Sequence, residues 1–471
     1  MKHVPAVIAP LFLLLSFLAP LNTLAARSLS FGLSGNDVKT LQNTLIAEGY
    51  LAVGKATGYF GPLTETAIKK FQCDQNIICS GARISGYGIY GPRTQAALAG
   101  VSAASQFEFS GWIPYWRTST GTADVLPHLS QLTSVMPFGY TMKNDGTLAD
   151  TAKLTEEPWI SFIATAKKAN VRVIPTVMWG NGETIHRILS NTATRIALED
   201  EIANTVKQNN FDGIDIDFEA KKHETIDHFS TFLKGLDMRL GNKWLYCTVE
   251  TRMPLNHRYS PGAVIPPDAT DYANDYTQMN KYCDRVEIMA YDQGTIDVHL
   301  NGIRPMPYAP VADPEWVESL VMLAAKSISK NKLVIGIPTY GYEYQVSILP
   351  GSSFEYKVLW PFNPQYAIDI AAQFSITPTR TGAGELSIIT TSATPAPAGS
   401  ESTETQQAAP STITQSPASL LNAILTFNYL TWSDAKAIAD KVALARKLGV
   451  RGVAVFKFDG GQDPAMWNVL K

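Results

Sequence analysis

The chain has 471 residues, of which 45% are hydrophobic, and a formal net charge of −3 at neutral pH. This length predicts two domains, and the apolar content is enough for a large packed core. The near-neutral charge gives no electrostatic support for a nucleic-acid or anionic-membrane partner, so an uncharged polymer fits the chain better.

The first 25 residues have the pattern of an export signal. Lys2 precedes an apolar stretch over residues 4–21, and small residues follow at Ala25 and Ala26. Cleavage after Ala25 is predicted, with an uncleaved membrane anchor as the alternative. The pattern therefore predicts a secreted, periplasmic or cell-wall-associated protein that has no membrane partner after cleavage.

Residues 29–100 predict a small domain of three short helices. Two turns of similar sequence, at 58–64 and 88–94, each end in a proline and a threonine that favour a helix start. Apolar residues recur at helical spacing in two stripes, namely Val38, Leu41, Leu45 and Ile46, and then Ala67, Ile68 and Phe71. The domain is thus predicted to use one internal design twice.

These turns, together with the sequences DVKTLQ at 37–42 and KFQ at 70–72, resemble the peptidoglycan-binding-domain-1 family. Members are three-helix modules that target the bacterial cell wall. The resemblance implies that the module brings an enzyme to wall polymer, with Tyr59, Tyr87 and Tyr90 as candidate ligand contacts. The alternative is a structural cap whose glycines only form turns.

Four cysteines, Cys73, Cys79, Cys247 and Cys283, lack the spacing of a zinc site. In an exported protein Cys73 and Cys79 are near enough in sequence to close a short disulfide loop. Cys247 and Cys283 lie on consecutive predicted strands, and they either pair or pack as buried thiols. The sequence leaves both pairings open.

After a polar linker at 101–106, residues 107–471 alternate between apolar, β-branched segments and helical patterns. This alternation is typical of parallel strands joined by crossover helices. The predicted strands are 110–115, 134–140, 172–178, 213–218, 244–250, 285–291, 332–338 and 452–458. Eight of them predict an α/β fold, a (β/α)8 TIM barrel, whose active site lies at the carboxyl ends of the strands.

Residues 345–424 are too many for a barrel loop and predict an insertion after the seventh strand. Without them the barrel is close to the ~250 residues typical of the fold. The first half of the insertion is apolar enough for a small subdomain. Residues 390–419 are rich in Ser, Thr, Ala, Pro and Gln and are predicted to be disordered.

The predicted fourth strand carries a row of acidic residues. Because side chains alternate along a strand, Asp215, Asp217 and Glu219 share one face, and apolar residues occupy the other. Repulsion and burial favour keeping a proton in this row, as a general acid requires. A surface acidic cluster or a divalent-cation site is the alternative, but the apolar spacers differ from the turn residues of a calcium loop.

The sequence DGIDIDFE at 212–219 resembles the D-G-x-D-x-D-x-E signature of glycoside hydrolase family 18, which includes chitinases and N-acetylglucosaminidases. The resemblance implies that Glu219 is the general acid and then the base, that Asp217 orients the substrate acetamide, and that Asp215 tunes Asp217. Tyr291, in the MAYD sequence, would bind the acetamide oxygen. No metal or cofactor is implied, because the substrate's acetamido group is the nucleophile.

Aromatic residues are frequent at the predicted strand ends, where their apolar faces suit stacking on sugar rings. Their number favours a sugar cleft over chance core packing. The candidate substrate-binding residues are Trp112, Tyr115, Trp116, Phe138, Tyr140, Trp179, Arg252, Met289, Asp292, Tyr340 and Phe456. Phe456 stands where many members of the family have a tryptophan beneath the cleaved sugar, so a preference for chitin stays open.

The sequence therefore predicts a retaining glycosidase that cleaves β-1,4 bonds after N-acetylglucosamine. The resemblance of the N-terminal module favours peptidoglycan as the polysaccharide partner, with a chitinase as the alternative. A non-catalytic, sugar-binding lectin on the same barrel is a third possibility. The presence of Glu219 argues against it, because lectins of this family commonly lack the acid.

Overall fold

The computed structural model describes residues 27–47, 50–75, 77–98, 107–349, 351, 353–391, 394 and 425–471. The predicted export signal, the linker at 101–106 and most of the segment predicted to be disordered, 390–419, lie outside the described residues. Within those ranges, no helix is long and apolar enough to cross a bilayer.

The N-terminal module contains the helices α1 (Asn36–Ala47), α2 (Pro62–Asp74) and α3 (Pro92–Leu98). Its two turns are supported in the same way. The amide N–H of Gly58 donates to Oε1 of Gln42 at 2.8 Å, and that of Gly88 donates to Oε1 of Gln72 at 2.8 Å. Because both glycines have positive φ, a side chain at either position would be strained. The repeated sequence therefore corresponds to two turns that are held by the same kind of hydrogen bond.

Each glutamine also binds the threonine that follows its turn. Nε2 of Gln42 donates to Oγ1 of Thr64 at 2.8 Å, and Nε2 of Gln72 donates to Oγ1 of Thr94 at 3.0 Å. These buried amides tie one helix to the start of the next, which compensates for the small core of the module. A disulfide between Cys73 and Cys79 closes the loop after α2.

Eight parallel strands form a closed barrel in the order Glu108–Pro114, Ser134–Met142, Thr176–Trp179, Gly213–Phe218, Trp244–Val249, Arg285–Ile288, Leu333–Pro338 and Gly452–Phe456, and the last of these pairs back to the first. Each overlaps one predicted strand, so the (β/α)8 prediction is confirmed. Strands β1 to β15 are Glu108–Pro114, Ser134–Met142, Leu148–Asp150, Arg172–Val173, Thr176–Trp179, Gly213–Phe218, Trp244–Val249, Arg285–Ile288, Leu333–Pro338, Gly341–Leu349, Ser353–Phe362, Thr379–Arg380, Leu386–Thr390, Leu425–Trp432 and Gly452–Phe456. Helices α4 to α14 are Thr118–Val125, Trp159–Lys168, Gly182–Ser190, Thr192–Gln208, Ile226–Leu240, Leu255–Arg258, Tyr276–Tyr282, Val298–Ile303, Pro314–Ala324, Pro364–Gln373 and Ala435–Leu448.

The main core lies between the barrel and its helices. On β6, Ile214, Ile216 and Phe218 face outward into this core, and the Phe218 ring stacks on Phe232 of α8 with centroids 5.4 Å apart. Burial of each such side chain contributes about 1.5–3 kcal/mol to stability. The alternation leaves the acidic residues of β6 facing the barrel interior. In the outer core, Cys247 of β7 is disulfide-bonded to Cys283.

A buried ion-pair network fills the amino-terminal end of the barrel. Nε and Nη2 of Arg285 donate to the two carboxylate oxygens of Glu108 at 2.8 and 2.6 Å, and Nη2 of Arg172 donates to the same carboxylate at 3.1 Å. Burial opposes the charged form of Glu108, but the two arginines outweigh it and lower its pKa to about 2. Ion pairs between these buried arginines and Glu108 therefore fill this end of the barrel.

The insertion after β9 is a five-stranded antiparallel sheet in the order β11-β10-β14-β13-β12, with α13 packed against it. It begins at Gly341 and includes Leu425–Trp432, so it is wider than the predicted 345–424. The alternation of apolar and polar residues in β14 would fit a barrel strand equally well. Only its pairing with β10 shows that β14 belongs to the insertion. Glu385 links the sheet to the barrel by accepting the amide N–H groups of Val311 and Ala312 at 2.8 and 2.9 Å.

The module contacts the barrel at the amino-terminal ends of β7 and β8. Arg93 is nearly buried, and its guanidinium lies 3.2 Å from Oδ1 of Asp237 and 2.9 Å from Oδ1 of Asp284. Beside it, Nδ2 of Asn242 donates to the carbonyl oxygen of Gly86 at 3.2 Å, and the hydroxyl of Thr94 donates to Oδ1 of Asn242 at 3.3 Å. The second turn of the module is thus covered by the barrel.

Replacing Arg93 with methionine is expected to release the module from the barrel. Because the change leaves the buried Asp284 and the partly buried Asp237 without their cation, we expect a loss of about 3 kcal/mol in the free energy of unfolding. Chemical denaturation and protease cleavage within residues 101–106 would measure these effects. The control is Arg27→Met, which removes the exposed pair with Asp37 and should leave the free energy of unfolding almost unchanged. Equal behaviour of the two variants would contradict the interface.

Candidate active site

Asp215 lies at the bottom of the acidic row and is fully buried. Its Oδ2 accepts hydrogen bonds from Nε1 of Trp112 at 3.2 Å and from the hydroxyl of Thr176 at 2.8 Å, while its Oδ1 accepts one from the hydroxyl of Thr248 at 2.9 Å. Burial raises the pKa of Asp215, and the three donors act against that rise. Asp215 is therefore the member of the row that is best prepared to carry a negative charge.

Asp217 is the next residue of the row, and it has the opposite character. Its Oδ1 is buried and has no hydrogen-bond partner among the described residues. Burial first, and then the charges of Glu219 and Asp215, raise its pKa well above the ordinary value. Asp217 is therefore the member of the row in which burial and neighbouring charges most favour the protonated form.

Glu219 ends the row at the carboxyl end of β6. Its backbone N–H donates to the carbonyl oxygen of Trp179 at 2.8 Å, so the parallel pairing continues to this residue. Its side chain is half-buried, whereas Asp215 and Asp217 are buried. The structure thus brings the three predicted acids onto one inward face, with Glu219 nearest to solvent.

Four aromatic rings form a floor beside the acids. The Tyr291 ring stacks on Phe456 with centroids 5.4 Å apart and planes inclined by 18°. Trp112 and Tyr340 meet the same Phe456 ring edge-on, each at 6.0 Å. Burial, reinforced by the nearby Asp217, raises the pKa of Tyr291 well above its ordinary value, so its hydroxyl stays protonated as a hydrogen-bond donor. Met289 lies in the same cluster.

Asp292, directly after Tyr291, has a positive φ of 60°. Its Oδ1 accepts hydrogen bonds from the hydroxyls of Tyr340 at 2.5 Å and Tyr342 at 2.9 Å. Burial raises the pKa of Asp292, and these two hydroxyls oppose the rise. The carboxyl therefore fixes Tyr340, a member of the aromatic floor, and Tyr342 at the start of β10 beside it.

The predicted residues at the ends of β1 and β2 form an aromatic rim. The rings of Tyr115 and Trp116 are 4.8 Å apart, and both also contact Phe138, at 6.5 and 5.9 Å. Trp116 is 44% exposed although it is a large apolar side chain. An exposed ring supported by two others is a suitable stacking surface for a sugar.

Two predicted substrate contacts, Tyr140 and Trp179, are instead part of the core between the barrel and its helices. On β5, Thr176 and Met178 face inward, so Trp179 faces outward and its ring contacts Phe218 at 5.2 Å. In β2 the pairing register shifts between residues 138 and 140, which turns Tyr140 away from the interior. The prediction that these two residues line the cleft is therefore wrong.

Arg252 lies beyond the end of β7, and its guanidinium is held between the rings of Tyr272 and Tyr276. The distances from Cζ to the two ring centroids are 3.8 and 3.9 Å, and Nη2 donates to the carbonyl oxygen of Asn274. Arg252 also lines a polar cavity with Arg258 and other residues of the same loop. The structure therefore gives it a loop-supporting contact rather than a place in the acidic row.

Several residues of the site were not predicted from the sequence, namely Thr176, Thr248, Lys221 and Glu287. The two threonines hold Asp215, and Lys221 is buried close to the acids. Glu287 is fully buried on β8, and Oε2 lies 3.5 Å from the Thr248 hydroxyl. Burial and the Asp215 charge raise the pKa of Glu287 well above its ordinary value, so it is a protonated neighbour of the row. Within the described residues, no group of three or more His, Cys, Asp or Glu is arranged to hold a metal ion.

Comparison with known families decides the classification. The family model for glycosyl hydrolases family 18 matches residues 109–461, which contain the barrel and the acidic row. The chain belongs to glycosyl hydrolase family 18. The predicted family resemblance is confirmed. A second model, described as "Putative peptidoglycan binding domain", matches residues 34–98.

Related proteins include bacterial glycosylases and chitinases. YvbX of Bacillus subtilis, an uncharacterized glycosylase, is 29% identical over 166 residues, which are 35% of this chain and 44% of YvbX. The spore cortex-lytic enzyme SleL of Bacillus megaterium shares the fold with a TM-score of 0.55 at 20% identity, covering 77% of this chain and 73% of SleL. A class V chitinase of Pseudomonas fluorescens shares the fold with a TM-score of 0.57 at 18% identity. The match covers 78% of this chain and 98% of the chitinase. The chain spans about half the length of the curated Bacillus subtilis glycosylases that it matches.

Proposed function

We propose that this family 18 glycosidase cleaves the β-1,4 bond after N-acetylglucosamine in bacterial peptidoglycan by substrate-assisted, retaining catalysis. The observation that carries the proposal is the inward row of three carboxyls on β6, which is joined through Trp112 to the aromatic floor of Tyr291 and Phe456. A donor hydroxyl and a protonated carboxyl beside a half-buried glutamic acid suit an acetamide and a glycosidic oxygen.

In the first step, the Glu219 carboxyl gives its proton to the glycosidic oxygen while the acetamide oxygen of the substrate bonds to the anomeric carbon. The bond to the leaving sugar breaks, and an oxazolinium ion forms. The Tyr291 hydroxyl and Asp217 hold the acetamide in the attacking position. As positive charge develops on the acetamide, the Asp217 proton is drawn toward Asp215, which already accepts three hydrogen bonds.

In the second step, the Glu219 carboxylate takes a proton from water, and the resulting hydroxide opens the oxazolinium ring at the anomeric carbon. Two inversions give net retention, and Glu219 recovers its proton. The carboxyl row therefore needs only one group at the leaving oxygen, which agrees with the position of Glu219 at the solvent-facing end of β6.

The N-terminal module supports peptidoglycan as the substrate, because residues 34–98 match a model described as a peptidoglycan binding domain. We also propose that the protein acts outside the cytoplasm. The export-signal pattern of residues 1–25 supports this location, and so do two disulfides, which form and persist in oxidising compartments.

Product analysis tests the proposed bond. Purified peptidoglycan and chitin are digested separately with the wild-type chain and with Glu219→Gln, the new ends are reduced, and the reduced sugars are identified by mass spectrometry. Reduced N-acetylglucosamine is expected from wild-type digests of peptidoglycan and not from those of the variant. Reduced N-acetylmuramic acid would contradict the proposed bond, and faster turnover of chitin than of peptidoglycan would contradict the proposed substrate.

A further inference from the structure

Lys221 is a buried cation two residues after Glu219. Its side chain has no exposed area, its Nζ donates to the carbonyl oxygen of Phe218, and it lies 3.9 Å from Oε2 of Glu250. The ring of Phe229 is 4.8 Å from the same nitrogen. Removing an ammonium from water is costly unless charges and hydrogen bonds compensate for it. The burial of the Lys221 ammonium therefore needs a physical explanation.

The turn that follows Glu219 places the Lys221 ammonium at the carboxyl end of β6. Ala220 has a positive φ of 52°, which is unfavourable for a residue with a side chain, and its backbone N–H donates to Oε1 of Glu250 at 2.9 Å. Glu250 is thereby held across the turn, with one oxygen on the backbone and the other facing Lys221. This clamp fixes the ammonium beside the end of β6.

The titratable groups around Lys221 are acids. Burial lowers the pKa of Lys221, and the charges of Glu250, Asp217 and Glu219 act in the opposite direction. The other titratable groups in this part of the barrel are Asp215, Tyr291 and, beside Asp215, Glu287. All of these neighbours are acidic, so the ammonium is a positive charge beside a cluster of acids.

We propose that the Lys221 ammonium is the counter-charge of the carboxyl row and stabilises the negative charge that Glu219 acquires when it protonates the leaving oxygen. The inference rests on the proposed function, in which Glu219 is the general acid. Lys221 acts through Glu219 and Asp217 and is a positioning residue. The neighbouring Lys222 has no such place, because its side chain is 34% exposed and pairs with Glu183 at the surface.

The charge of Lys221 sets the pH range of the reaction. Without the ammonium, the ionised carboxyls lose a favourable interaction, so both limbs of the pH profile of kcat/KM should move to higher pH. For charges several ångströms apart in a partly buried site, the expected shift is about one pH unit. Loss of charge stabilisation in the first step should also lower kcat about tenfold.

The test uses the full chain with Lys221→Met, which keeps the length of the side chain and removes the charge, and Lys222→Met as the matched control. Rates are measured from pH 4 to 9 on a soluble N-acetylglucosamine oligosaccharide with a fluorogenic aryl leaving group, and thermal unfolding checks the fold. An upward shift of both limbs in Lys221→Met, with an unchanged profile in Lys222→Met, is expected. An unshifted profile in folded Lys221→Met, or an equal shift in both variants, would overturn the inference.

A second variant decides the question if Lys221→Met does not fold. Glu250→Gln keeps an oxygen for the Ala220 amide but removes an anion from the cluster, and its position is 42% exposed. Its pH profile should move down, opposite to that of Lys221→Met, and an unmoved profile would overturn the inference. Full activity of Glu219→Gln would instead reject the proposed function, so the two failures are distinguishable.

Discussion

Replacing Glu219 with glutamine is expected to lower kcat on a polysaccharide substrate by about 10²–10⁴-fold, the usual contribution of a general acid-base group. The change keeps the shape of the side chain and removes the proton that the leaving oxygen needs. Binding should change little, so the loss should be in kcat rather than in KM. Steady-state kinetics on a soluble oligosaccharide would measure both constants.

The leaving group of the substrate separates an acid role from a structural one. A dinitrophenyl leaving group needs little protonation, so the deficit of Glu219→Gln should shrink with such a substrate. The control is Glu224→Gln, which changes an exposed carboxyl in the following turn and should keep kcat within about twofold. A deficit of equal size on both substrates would contradict the role of Glu219 as the acid.

Asp217→Asn is expected to lower kcat by about 10²–10³-fold, because asparagine cannot release a proton or carry the charge that stabilises the oxazolinium ion. The same change is expected to stabilise the fold. The folded-state pKa of Asp217 lies above its unfolded value, so its contribution to stability is complete below the unfolded value and is lost as the pH rises through the folded value. A neutral asparagine avoids that loss.

Chemical denaturation of both proteins at several pH values would test this second expectation. The advantage of Asp217→Asn in the free energy of unfolding should grow as the pH rises above about 4, the ordinary pKa of an aspartic acid. Asp212→Asn is the matched control, since Asp212 precedes β6 and accepts the Val173 amide at 2.9 Å. Its kcat should be unchanged. A destabilised Asp217→Asn at pH 8 would contradict a protonated Asp217.

The barrel strands could be predicted because each strand has a recognisable residue pattern within its own short segment. β-branched residues and alternation define each strand, and the predicted strand at 213–218 coincides with Gly213–Phe218. Alternation also placed the three acids on one face without any knowledge of neighbouring strands. The aromatic floor followed from the rule that parallel strands in a barrel bring their carboxyl ends together.

The features of the site that were not predicted depend on contacts between segments that are distant in the sequence. Thr176 and Thr248 bind Asp215 because the register pairs Thr176 with Asp215 and Asp217 with Thr248, and no local pattern reveals that register. A shift in register also explains the wrong prediction for Tyr140. Lys221 resembles any surface lysine in the sequence, since its burial arises from the turn at Ala220 and from Glu250.

The contact of Arg93 and Asn242 with the barrel has a consequence for how the two modules meet a solid polymer. These residues fix the N-terminal module at the amino ends of the strands, whereas Glu219 and Tyr291 lie at the carboxyl ends, a full strand length away. Under the proposed function, the module would bring its glycan to the amino-terminal end of the barrel, while the cleft holds another glycan at the carboxyl end. In a layered wall this arrangement would favour an enzyme that is anchored to one strand and cuts its neighbour.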